Sequence, residues 1–323
     1  MKQKILIIRF SSIGDIVLTT PVIRALKKQL ANAEIHYVTK QNFKSIVAPN
    51  PYLDKVHYLQ ENLTTLIEEL RQENFDYIVD LHNNLRSRLI RFKLGVPGAS
   101  FNKLNLRKWL LVNFKINKMP AVHIVDRYLA TAKKLGIKND GAGLDYFIPA
   151  QDEVFLSTLP ATHQNGYVAI AIGAQHYTKR LPTERIIELC EKINKPILLL
   201  GGKEDTAAGD VIAQYFLNKE SKGTKIYNAC GKFNLNQSAS LVRQAHIVYS
   251  HDTGLMHVAA AFKKKVVSIW GNTVPEFGMY PYKTEFTVLE NNNILCRPCS
   301  KIGYAKCPQG HFKCMREIEF NNV

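Results

Sequence analysis

KILIIRFSSIGDIVLTTPVIRAL, residues Lys4–Leu26, is the stretch that decides the fold class. Lys4–Phe10 is an apolar run of strand length that stops abruptly at Ser11 and Ser12. Gly14 and Asp15 follow, and Val22, Ile23, Leu26 and Leu30 then fall on one face at helical spacing. A strand that runs straight into a helix opens a βαβ unit, and repeated βαβ units build a parallel sheet. The turn leaves Ser11, Ser12, Gly14 and Asp15 at the mouth of the first strand. Asp15 at that place reads either as a helix cap or as a catalytic base, and the local pattern alone does not choose.

The same alternation continues outward. Glu34–Thr39, Lys55–Leu59 and Phe75–His82 read as further strands. Leu63, Leu66, Ile67 and Leu70 form a helical stripe, and His123–Leu135 a further helix stopped by Gly136. The pattern lapses over Ile148–Gly166, which holds two prolines and several polar residues. It then restarts with strands at Tyr167–Gly173, Pro196–Gly202, Ile226–Cys230, His246–Ser250 and Val266–Trp270, separated by helices such as Thr183–Ile193 and Leu235–Ala245. The expectation is an α/β protein of two Rossmann-like, doubly wound domains facing across a cleft. Residues 1–160 form the first, 161–300 the second, and 301–323 a tail. Ligands in such sheets bind outside the carboxyl ends of the strands.

At 323 residues the chain is long enough for two cores, and 46% of it is hydrophobic, as in an ordinary soluble protein. Lys and Arg number 43 against 27 Asp and Glu, a formal net charge of +16. That balance points to an anionic partner: nucleic acid, an acidic membrane surface or a phosphorylated substrate. No signal peptide or membrane span is legible, which predicts a cytoplasmic protein with at most peripheral membrane contact. Neither G-x-G-x-x-G after the first strand nor G-x-x-x-x-G-K-[ST] occurs, which removes most of the weight from dinucleotide dehydrogenases and P-loop NTPases.

Chemistry gathers elsewhere. In VYSHDTGLMHVAAAF (Val248–Phe262) a strand ends at Ser250, and His251, Asp252, Thr253 and Gly254 lead into a small-residue helix carrying Leu255 and His257. Unpaired amides at a helix start suit phosphate, and Asp252 or Thr253 could equally serve as a plain cap. In GAQHYTKRLPTE (Gly173–Glu184), Lys179 and Arg180 are placed to neutralise a diphosphate, or to form a solvated basic turn. Gly201, Gly202, Glu204 and Asp205 end another strand and offer carboxylates for ribose hydroxyls or for capping. DLHNNLRSRLIR (Asp80–Arg91) and HIVDRY (His123–Tyr128) present His82, Arg86, Arg88, Asp126 and Arg127 as anion contacts or surface charge. Cys296, Cys299, Cys307, His311 and Cys314 have spacing that tetrahedral zinc uses, and packed reduced thiols are the plainer alternative.

Taken in order, RFSSIGDIVLTTPVIRAL, DLHNNLRS, TKRLP, LLGGKED, SHDTGLMHVAAA and WGNTVPEFGMYP resemble the heptosyltransferases of glycosyltransferase family nine, over nearly the whole chain. The resemblance implies a GT-B fold, with a C-terminal segment that packs back on the first domain. It implies an inverting, metal-independent transfer with no cofactor, from ADP-L-glycero-D-manno-heptose to the anionic inner core of lipopolysaccharide. Asp15 matches the family's catalytic base, and Lys179 its phosphate-binding lysine. Thr253, Gly254 and Leu255 match the helix-start phosphate cradle, and Asp252 and His257 line the donor site, with Glu204 or Asp205 toward the ribose. Ser11, Ser12, Gly14, Arg86 and Arg127 are the candidates for acceptor contacts, with no required metal and zinc at Cys296, Cys299, Cys307 and Cys314 as a structural option. The location implied is the inner face of the inner membrane, without a nucleic-acid partner. Two other readings fit the residues: a GT-B enzyme using a UDP-sugar, and a non-enzymatic protein that binds anionic lipid or nucleic acid.

Overall fold

The computed structural model describes residues 3–219 and 223–321. The chain divides into two compact units. One comprises Met1–Lys103 with Val122–Phe147, and the other Leu104–Ala121 with Ile148–Val323.

In the first unit the strands are β1 (Gln3–Ile8), β2 (Ala33–Lys40), β3 (Lys55–Leu59), β4 (Tyr77–Asp80) and β5 (Gly98–Ser100). Its helices are α1 (Ile13–Val17), α2 (Thr20–Gln29), α3 (Lys44–Val47), α4 (Leu63–Gln72), α5 (Leu85–Leu94) and α7 (Ile124–Leu129), whereas α6 (Asn105–Phe114) clusters with the second unit. The sheet is parallel in the order β3-β2-β1-β4-β5. Ile5, Leu6, Ile7 and Ile8 of the central strand are all fully buried, so both faces of β1 are covered. That is why Lys4–Phe10 reads as an unbroken apolar run rather than an alternating one. Helix α4 starts at Asn62, whose side chain accepts the Thr64 N–H, and it buries Leu66, Ile67 and Leu70 against Leu6, Ile8 and Val38. Each such side chain contributes roughly 1.5–3 kcal/mol of burial. The short β5 has no β-branched residue to announce it, and a Cβ on Gly98 would stand 2.3 Å from the Ile78 carbonyl oxygen. Glycine is what lets that edge strand pair.

The second unit holds β6 (Val168–Ala171), β7 (Ile197–Leu200), β8 (Ile226–Asn228), β9 (Ile247–His251), β10 (Lys265–Trp270) and β11 (Phe286–Glu290), with α8 (Ala161–Gln164), α9 (Thr183–Ile193), α10 (Thr206–Asn218), α11 (Leu235–Gln244), α12 (Gly254–Ala261) and α13 (Lys313–Arg316). This sheet too is parallel, in the order β11-β10-β9-β6-β7-β8. In both sheets the order reverses beside the first strand of the unit: between β1 and β4, and between β6 and β9. The two doubly wound α/β halves are those the sequence predicts.

The boundaries differ in three places. The second unit begins at Ile148, because Asp152 accepts bonds from Asn234 and Asn236 and Glu153 from Ser240 and Arg243. Leu104–Ala121 leaves the first unit, burying Leu111 with Val274 and Phe277. The described part of the tail clusters with the second unit. Phe312, Cys314, Met315, Ile318 and Phe320 are buried in the core of the second, beside Ile186, Leu189 and Ile269. Arg185 donates to the Ile318 carbonyl, and its guanidinium lies over the Phe320 ring.

Candidate active site

In the first unit, the segments after β1 and β4 flank the point where strand order reverses, the usual place for a ligand in such a sheet. Ser12 is the N-cap of α1. Asp15, three residues on, accepts the Ser12 N–H at 3.2 Å and its Oγ–H at 2.8 Å, both on Oδ2. Its Oδ1 pairs with Arg9 Nη2 at 2.8 Å. Asp15 therefore does cap the helix, while Arg9 holds its other oxygen.

Arg9 fixes this arrangement. It is buried, and it donates through Nε to the Ser11 carbonyl at 2.6 Å and through Nη1 to the Leu81 carbonyl at 2.6 Å and the Tyr128 hydroxyl at 2.9 Å. Burial works against its charge, but Asp15, Tyr128 and Tyr37 together outweigh that and raise its pKa. The sequence contained Arg9 in its opening motif, but nothing marked it as the group that links both strand ends.

After β4, Asp80 is wholly buried and organises the loop. Its Oδ1 accepts the amides of His82 and Asn83 at 3.0 and 2.7 Å, and its Oδ2 the hydroxyls of Ser87 and Ser100 at 2.9 and 3.1 Å. His82 packs edge-on against Phe10. Burial, then the charges of Arg9 and Lys103, push its pKa down to about 3, so its ring is neutral, and its Nδ1 is buried without a hydrogen-bond partner. Arg86 lies exposed on α5, and Arg88 bonds the Asn83 side chain at 3.1 Å. Arg127 is buried on α7, where its Nη1 reaches the Asn102 carbonyl at 3.5 Å and burial lowers its pKa. Asp126 accepts from Asn139.

In the second unit the segments after β6 and β9 flank the equivalent reversal. Lys179 Nζ bonds Asp252 Oδ2 at 2.6 Å and the Asp252 carbonyl at 3.1 Å, tying the two segments together. Thr273 Oγ1 donates to the same Asp252 oxygen at 2.9 Å. Arg297 backs Thr273 from behind, donating to the carbonyls of Thr273, Gly271 and Asn291 and pairing with Glu290 at 2.8 Å. Thr253 occupies the N-cap of α12 with extended backbone but makes no side-chain bond to the helix amides. The first turn runs through Gly254 and Leu255, and His257 is buried further along. His251 is buried, and its Nε2 accepts the Leu181 N–H at 2.9 Å, holding the loop that presents Lys179 and Arg180. Burial pushes its pKa down to about 4.

Of the two carboxylates after β7, Glu204 is exposed and Asp205 is buried. Asp205 accepts the Gly202 N–H at 2.9 Å and pairs with Arg180 at 3.1 Å, while Arg180 Nε holds the Ala174 carbonyl at 2.6 Å. A Cβ on Gly173 would stand 2.1 Å from Asp205 Oδ2, so this close approach of two loops requires glycine. Asp205 shapes the loop, and Glu204 is left in solvent.

All the cysteines are free thiols; Cys314 is buried in the apolar core, where desolvation first, and then the nearby Cys299, Cys296 and Cys307, push its pKa up to about 12, and Cys307 packs against the same core. Cys296 Sγ lies 3.9 Å from His311 Nε2. Among the described residues, the one group of three ligand atoms within 4.8 Å of one another is His36, His57 and Glu73. It lies toward the amino ends of β1–β3, away from the strand ends above. There Lys4 and Lys55 pair with Glu73, while Glu34 and Glu69 each contact a histidine ring nitrogen.

The family model for glycosyltransferase family 9 (heptosyltransferase) matches residues 63–307. Lipopolysaccharide heptosyltransferase 1 of Campylobacter coli is 24% identical over 297 residues, covering 84% of each chain. Among solved structures, a family 9 glycosyltransferase from Veillonella parvula superposes with a TM-score of 0.71 at 23% identity, covering 90% of this chain and 86% of the other. The ADP-heptose lipopolysaccharide heptosyltransferase II of E. coli gives 0.69 at 20% identity and covers 98% of both.

Proposed function

The chain belongs to glycosyltransferase family 9, and we propose that it is an inverting, metal-independent heptosyltransferase that moves heptose from ADP-L-glycero-D-manno-heptose to a sugar hydroxyl of the lipopolysaccharide inner core. The observation that carries the reading is the Lys179–Asp252 pair, set at the carboxyl ends of β6 and β9 beside the uncapped start of α12.

Transfer is a single displacement. The acceptor oxygen attacks the anomeric carbon from the face opposite ADP, the bond to the β-phosphate oxygen breaks, and the hydroxyl proton passes to the Asp15 carboxylate. The turn of Ser11, Ser12 and Gly14 approaches the acceptor closely, and exposed Arg86 meets its anionic groups, with Arg127 supporting from its buried place. ADP leaves with added negative charge. Lys179 and the amides of Thr253, Gly254 and Leu255 neutralise it without a divalent ion. Asp252 orients Lys179 in the resting state, His257 packs beneath the helix start, and Glu204 faces the ribose from a loop that Asp205 holds. The enzyme works at the cytoplasmic face of the inner membrane, on an acceptor whose phosphates and carboxylates suit its net charge of +16.

The test is mass spectrometry of the product formed from ADP-heptose and truncated lipopolysaccharide acceptors. One added heptose is expected, and Asp15→Asn should lower the rate by about 10²–10⁴-fold. No product with any acceptor, together with a larger thermal shift from UDP than from ADP, would reject the assignment.

A further inference from the structure

Residues 81–125 hold nine Lys and Arg and neither Asp nor Glu, so this short segment carries nine of the chain's sixteen net charges. Apolar side chains are exposed among those cations. On α5, Leu85 is 84% exposed, Leu89 42% and Phe92 79%, at spacing i, i+4, i+7. A helix of a soluble domain buries such a stripe, whereas α5 turns it outward and packs on the sheet through Ser87 and Ile90. Arg86, Arg88, Arg91 and Lys93 lie on the same helix. Exposed apolar area concentrated in this way marks an interaction surface.

We propose that this face of α5 docks the protein on an anionic bilayer surface. The charge sets the partner: cations unrelieved by any carboxylate match phosphate headgroups, at about 1 kcal/mol for each one close to the surface. The stripe sets the depth. Leucine and phenylalanine enter the acyl boundary, as on interfacial helices. The inference deepens the proposed function, which supplies a lipid-linked acceptor, but its test involves neither donor nor acceptor.

Flotation with phosphatidylcholine vesicles, with and without phosphatidylglycerol, measures the partition. Binding to the phosphatidylglycerol vesicles alone is expected, weakened by added salt. The double variant Leu85→Ser/Phe92→Ser should bind about tenfold or more weakly, with an unchanged thermal melt, since both side chains are in solvent. Wild-type protein that ignores anionic vesicles, or a double variant that binds them as well as wild type, overturns the proposal. So does a dimer in solution that Leu85→Ser/Phe92→Ser converts to monomer, which would assign the face to a second copy of the chain. A failed heptose transfer with intact vesicle binding would remove the enzymatic reading and leave this surface standing.

Discussion

His251 should make the second unit acid-labile by a calculable amount. The side chain is buried, accepts the Leu181 N–H, and titrates at about 4, against about 6.5 in an unfolded chain. The folded pKa is depressed, so the unfolded state takes up the proton first as pH falls. The stabilisation is complete above about pH 6.5, is lost at about 1.4 kcal/mol per pH unit below it, and levels off near pH 4. Between pH 7 and pH 5 the loss from this one residue is about 2 kcal/mol. His251→Gln is the informative change, because the amide oxygen can accept the Leu181 N–H without titrating. Both tryptophans of the chain, Trp109 and Trp270, lie in the second unit, so urea denaturation followed by their fluorescence reports on it. Wild type should lose about 2 kcal/mol more than His251→Gln over that interval. Buried His57 and His163, whose pKa values burial also lowers, titrate in both proteins and cancel in the difference. Parallel pH dependences for the two proteins would refute the description of His251 as a neutral buried acceptor.

Other changes separate the roles of neighbouring groups. Gly173→Ala drives a methyl into Asp205 and should cost about 1–3 kcal/mol of stability and erase the thermal shift given by ADP; a retained shift would show that the Asp205 loop does not shape the donor site. Arg9→Met leaves Asp15 without its cation and should lower kcat by about 10²-fold at nearly constant KM, with partial rescue by Arg9→Lys; a pure rise in KM would remove Arg9 from the positioning of Asp15. Arg297→Ala strands half-buried Glu290 and the Thr273 carbonyl, and about 3 kcal/mol should be lost in urea denaturation, an expectation that fails if the loss stays under about 1 kcal/mol. Exhaustive chelation should leave the transfer rate unchanged, and a rate restored only by added divalent ion would reject the metal-independent mechanism.

The sequence disclosed what periodicity and strand-end position govern. The buried central strand at Lys4–Phe10 was plain because both faces are covered, and Lys55–Leu59 and Thr183–Ile193 were legible to the residue. β5 was not, since Gly98–Ser100 has no strand chemistry and depends on the Ile78 carbonyl for its place. The core that the tail and α6 join was not legible for a related reason: which core an apolar face joins is decided by distant side chains, here Ile186 and Leu189 for the tail and Val274 and Phe277 for α6. Lys179, Asp252 and Thr253 stood out as residues at strand ends. Arg9, Asp80, His251 and Arg297 did not, because a side chain that orients another residue through the interior leaves no spacing pattern.

The excursion of Leu104–Ala121 into the second unit means that the chain passes between the units three times, after Lys103, Ala121 and Phe147. The halves are consequently not inheritable modules. A cut at Phe147 would strand α6 with the wrong half, exposing Leu111 there and baring Val274 and Phe277 in the other. It would also leave the carbonyls of Cys296 and Pro298 without the Lys115 ammonium that binds them. Recombination that exchanged one half for a relative's would have to bring a matching helix from the other half with it. The donor and acceptor specificities of such a chain must therefore diversify by substitution within both halves together, and not by shuffling one against the other.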